Sequence, residues 1–140
     1  MLRTIAAVLI AVTLSGATPA EALPPPNTAT KVILWDEDTA LPVMNVLAKA
    51  SSDADHGRVA QGCSLFGSEA VKALTEPLPP DATIAFHWGA GLAFYAAGGA
   101  DCVAGLKTCS KSVLSAGAKY INDGAAQMVD VEHEVRAFIA

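Results

Sequence analysis

The stretch from Gly89 to Ala140 constrains the chain most: an Ala-rich run that opens on His87-Trp88 and keeps a helical pattern to its last residue. Leu106, Val113, Tyr120 and Met128 recur at helical spacing. Ser110, Gly117, Gly124, Val131 and Phe138 interleave with them, close to the three-four alternation of a packed helix seam. Ser110, Gly117 and Gly124 leave notches where another helix could approach closely, whereas Lys107, Lys111, Lys119, Asp123 and Asp130 fall towards the remaining, solvated face. Such a stretch needs a partner surface. The expected fold is all-α, a helical hairpin or small helical bundle. Composition agrees: alanine supplies about a fifth of the residues and aromatics only 6%, which favours close-packed helices over a sandwich of β-branched and aromatic strands.

The 140 residues suffice for one domain with a real core. Residues 1–22 read as a secretory signal: Arg3, an apolar run from Ile5 to Val12 too short to span a bilayer, and an Ala20-Glu21-Ala22 ending suited to cleavage before Leu23. Residues 23–35 are expected to be an extended leader, with three prolines at 24–26 and the short β-branched run Lys31 to Trp35. Residues 36–140 form the helical domain. Asp36-Glu37-Asp38-Thr39 supplies acceptors where a first helix starts near Thr39 to Leu41, with Pro42 in its first turn and Leu41, Met44, Leu47 and Ala48 as its apolar face. Gly57 is a candidate stop for it. A second, short helix would bury Val71 and Leu74 and end at Glu76-Pro77, and Asp81 would cap a third beginning at Ala82. Gly98-Gly99 is expected to kink or interrupt that helix, with Asp101 capping its resumption at Cys102.

An exported chain with three cysteines allows one disulfide and leaves one thiol. Cys102 and Cys109 lie two turns apart on one helical face, roughly 10 Å at the helical rise, so Cys63 is expected to bond one of them. A net charge of −5, with nine Lys and Arg scattered singly, argues against nucleic-acid binding. Membrane contact is not expected either. The rival function is a membrane-active peptide toxin or pore former built on residues 82–100, a stretch almost free of charge. His56, His87 and His133 lie in no HxxxH or HxxE arrangement, so no metal, cofactor or catalytic residue is assigned. Trp35 and Trp88 are read first as core anchors and second as recognition residues.

Trp35-Asp36, Val46-Leu47, a Gly-containing middle and Ser112 to Tyr120 with Asp123-Gly124 and Met128 together resemble the WxG/ESAT-like superfamily of actinobacterial helical hairpins. The resemblance covers roughly residues 31–130. It implies a secreted, often dimeric helical protein, an effector or secretion partner rather than an enzyme. The family's Trp-x-Gly turn appears here only as Trp88-Gly89-Ala90, at the start of the second long helix rather than between the two, which departs from the family pattern. A Tyr-x-x-x-Asp/Glu export motif is absent, because Gly99 follows Tyr95 and Gly124 follows Tyr120 at the acidic position. The expected function is association, as a homodimer or with a small helical partner, through Trp88, Leu106, Val113, Gly117, Tyr120, Gly124 and Met128.

Overall fold

The computed structural model describes residues 27–140, and the expected signal and residues 23–26 of the leader lie outside them. The described residues form α1 (Thr28–Trp35), a π-helical segment (Asp36–Ala40), α2 (Leu41–Asp55), α3 (Val59–Ala73), α4 (Ala82–Thr108) and α5 (Lys111–Ile139), with no strand. The fold is an all-α bundle. Each helix from α2 onwards packs on the next, and α1 closes back on α5.

The leader expectation fails for residues 28–35, and the first helix starts well before Thr39. The Asn27 side chain accepts from the Thr30 amide at 2.8 Å and caps α1. Val32 and Trp35, one helical turn apart, are then buried. Burial outweighs the strand preference of the Val-Ile pair, which is only a weak prior. Trp35 meets Trp88 edge to face at 5.1 Å, and its Nε1–H donates to the Pro77 carbonyl at 3.0 Å, tying the α3–α4 loop to the end of α1. Such an aromatic pair adds about 0.5–1.5 kcal/mol beyond area burial. The chain continues through the π-helical segment, where the Leu41 amide bonds the Asp36 carbonyl, into α2 with Pro42 in its first turn. Proline lacks an N–H and collides with the carbonyl four residues back, so a widened turn before it accommodates the ring within a continuing helix.

The buried face of α2 is Val43, Leu47 and Ala50 rather than the Leu41-Met44-Leu47-Ala48 stripe read from the sequence, since Leu41 and Ala48 are exposed. The added π turn shifts the phase. Gly57, at φ +82°, lets the chain reverse into α3. Asp53 braces that reversal although its side chain is only 5% exposed: it accepts from Lys49 Nζ at 2.7 Å and from Arg58 Nη2 at 2.7 Å and Nε at 3.2 Å. These charged hydrogen bonds hold its carboxyl below the ordinary value of 3.8. The stabilisation is therefore complete above the ordinary aspartate value and is lost as pH falls through the depressed folded value. Asp53→Asn is expected to unfold at lower temperature at pH 7, with its deficit against the parent shrinking once the pH drops below 3.8. Thermal unfolding monitored by circular dichroism across that range checks it; a deficit unchanged in acid would refute the pairing.

Helix α3 also buries a different face from the one expected. Val71 is 58% exposed and Leu74 lies outside the core, while Gly62, Cys63, Phe66, Ala70 and Ala73 turn inward. Small residues win because the neighbours come close: a Cβ on Gly62 would sit 2.5 Å from the Ala50 carbonyl oxygen. Helix α4 begins as expected, the Asp81 carboxylate accepting from the Thr83 and Ile84 amides at 2.9 and 3.0 Å. It then runs unbroken for 27 residues. Gly98-Gly99 does not interrupt it and Asp101 caps nothing. The two glycines face different neighbours: a Cβ on Gly98 would meet the Gly117 carbonyl oxygen at 2.9 Å, and one on Gly99 the Gly67 amide nitrogen at 2.5 Å. They mark where α4 is pressed between α3 and α5.

Candidate functional site

The expected seam along residues 106–138 is cut in two. Cys109 adopts a left-handed conformation at φ 51° and Ser110 caps α5, accepting from the Val113 amide. The chain reverses there, and α5 returns along α4. Gly91 and Gly98 of α4 then meet Gly124 and Gly117 of α5, and Gly105 meets Leu114. Both glycine sets are spaced by seven residues, so the backbones stay close over several turns. The notches at Gly117 and Gly124 are thus filled from within the chain.

This corrects the proposed interaction face. Gly117, Gly124 and Met128 are buried against α4, and Trp88, 1% exposed, lies in the core. Leu106 and Val113 are half-buried on opposite sides of the α4–α5 turn. Tyr120, 38% exposed, stacks on Phe94 at a centroid distance of 6.2 Å. Four of the seven are therefore buried within the chain and do not form an open face. The cysteines fall as expected: Cys63 and Cys102 form a disulfide with Cα atoms 5.8 Å apart, joining α3 to α4 beside the Gly67–Gly99 contact, and Cys109 is free and exposed.

Of the histidines, His87 is the most engaged. Its Nδ1 lies 2.8 Å from Gln127 Oε1 and 3.7 Å from Asp130 Oδ2, which ties α4 to α5. His56 Nδ1 lies 2.7 Å from the Ser52 carbonyl oxygen and closes the end of α2. No group of three or more metal-ligating side chains comes together among the described residues. None of the described helices is long and apolar enough to cross a membrane. Within residues 82–100 Ile84, Trp88, Leu92 and Tyr95 are in the core, while Phe86 is 68% exposed.

Concavities among the described residues include a shallow, open hollow of about 420 Å³ between α2 and α3, past Val46, Lys49, Gln61 and Leu65, and two others. A groove of about 660 Å³ runs between α3 and α4 past Cys63, Gly67, Val71 and Val103. It is broad and shallow, and Lys107 is the charged residue on its wall. The second is a more enclosed cleft of about 380 Å³ between the π-helical segment with the start of α2 on one side and the last turns of α5 on the other. Met44, Trp88, Met128, Val131 and Val135 give it an apolar lining. Leu41 and Ile139, 48% and 60% exposed, stand at its mouth with Asp36, Glu132 and Arg136.

The cleft is the candidate site. It combines an apolar floor with a few charged groups, the usual make-up of a recognition pocket, and it lies on a π-helical turn, a feature frequent at functional sites. Burial is the largest influence on the Asp36 carboxyl and pushes its pKa up, and the negative charges of Glu37 and Glu132 push the same way. Glu132 is paired with Arg136 one turn on along α5. Sequence reading missed this site because its walls come from opposite ends of the chain. The Asp36-Glu37-Asp38 cluster was visible, but as a helix start. No family model, curated protein or solved structure matches the chain.

Proposed function

We propose that this is a small exported, non-enzymatic helical protein that works by protein–protein association, and that it associates through the cleft between the π-helical segment and α5. The cleft carries the reading: an apolar hollow fringed by the exposed Leu41 and Ile139 gives a partner side chain a place to insert, whereas the glycine seam is occupied by α4. Export is supported by the Arg3, Ile5 to Val12 and Ala20-Glu21-Ala22 pattern and by the Cys63–Cys102 bond, a linkage kept in oxidising compartments. The resemblance to the WxG/ESAT-like hairpins supports an effector or secretion-partner role.

Panning a displayed library of short peptides against the full chain tests the association. Enriched peptides are expected to compete for one site and to lose about tenfold in affinity for Leu41→Asp and for Ile139→Asp, the scale of one anchoring contact. Both positions are exposed, so the substitutions leave the core intact. A library that yields no enriched peptide, or peptides that bind both variants as they bind the parent, would remove the cleft from the function.

A further inference from the structure

We infer that the occupant of the cleft is an apolar segment of a separate polypeptide carrying a lysine or arginine beside its anchoring side chain, with the cation placed against Asp36 at the cleft mouth. This rests on the association reading above and adds the chemistry of the partner.

The argument is one of charge. On the α5 wall, Glu132 is already matched by Arg136 Nη2. On the opposite wall Asp36 lines the cleft and Glu37 follows it, and among the described residues neither has an ion-pair partner. The mouth therefore carries an excess of negative charge beside an apolar floor. A carboxylate partly withdrawn from water next to like charges is costly, and an incoming cation relieves both the burial and the repulsion. An anionic apolar ligand would add to the repulsion. A second copy of this chain brings the same acidic mouth and a net charge of −5, so charge favours a basic partner over self-association. Volume sets the scale of the anchor: about 380 Å³ is near the low end for ligand pockets and suits one or two apolar side chains rather than a whole helix face.

The test uses the full chain and three acetylated, amidated helical peptides that share a Phe-Leu anchor and differ one turn away, where they carry Lys, Gln or Glu. Binding is followed by calorimetry and by the fluorescence of the Trp35–Trp88 pair, since Trp88 lines the cleft. The Lys peptide is expected to bind about threefold to fivefold more tightly than the Gln peptide, and the Glu peptide more weakly than either. Added salt should erode the difference. Asp36→Asn should abolish the Lys preference, and Asp36→Lys should transfer the preference to the Glu peptide, which a merely misfolded variant would not do. Equal binding of the Lys and Gln peptides to the parent, or a Lys preference that survives Asp36→Asn, overturns the inference. If those peptides still lose affinity for Leu41→Asp, association through the cleft stands and only the basic partner falls. Two further outcomes also overturn it: a dimer in sedimentation that Leu41→Asp dissociates, which makes the occupant a second copy, and hexylamine binding as tightly as the Lys peptide, which makes it a small amine.

Discussion

Opening the Cys63–Cys102 bond is expected to cost the folded protein about 4 kcal/mol, the chain-entropy value for a bridge between residues 39 apart. The bond spans α3 and α4 beside the tight Gly67–Gly99 contact, so the native helices lie side by side whether or not it is made. Most of its effect therefore falls on the unfolded chain, which gains freedom when the loop is opened. Urea unfolding of a Cys63→Ala/Cys102→Ala variant should show a lower midpoint, native helicity before the transition, and a steeper denaturant dependence because the unlinked chain exposes more surface. A Cys109→Ser background keeps the exposed thiol from re-pairing during the measurement. A variant within about 1 kcal/mol of the parent would mean that the loop is already ordered in the unfolded state and that the entropy argument fails here.

The second large effect belongs to the paired glycines of α4. Gly98→Leu and Gly99→Leu should each destabilise by about 3 kcal/mol or more, at or beyond the upper end of ordinary overpacking. A side chain at Gly99 meets only backbone, that of Gly67 and Cys63, and one at Gly98 meets the Ile121 side chain together with the Gly117 and Ile121 backbone, which cannot turn aside as a flexible side chain can. Gly89→Ala is the matching control. Nothing lies within 4 Å of a Cβ there, so the substitution should stabilise by up to about 1 kcal/mol through helix propensity alone. Gly117→Leu and Gly124→Leu should lower thermal stability as well, because their neighbours are Cys102, Gly98, Tyr95 and Gly91 of the same chain. Chemical unfolding of the four leucine variants beside Gly89→Ala decides it. Parental stability in Gly98→Leu and Gly99→Leu would show that the helices are free to separate.

What the sequence determined by itself is local or compositional. Alanine content and helical periodicity are enough for an all-α fold, and Asp81 at the head of α4 was readable because an N-cap acts over three residues. The pairing of Cys63 with Cys102 or Cys109 followed from helix geometry alone: two cysteines separated by two turns of one helix cannot meet. Gly117 and Gly124 announced a close neighbour, since glycine in a helix is unfavourable unless something needs the space. Only the tertiary structure decided which neighbour that was. Periodicity is blind to a reversal that preserves phase, so the turn at Cys109 and Ser110 was read as one continuing seam, and Gly91 and Gly98 were not recognised as its other half. Val32 and Trp35 became helical because Trp88 and Pro77, 42 or more residues away in the chain, receive Trp35. The cleft is wholly of this second kind: Asp36 and Leu41 face Glu132 and Ile139 only because α1 closes on α5, a contact between the two ends of the described chain that no local pattern encodes.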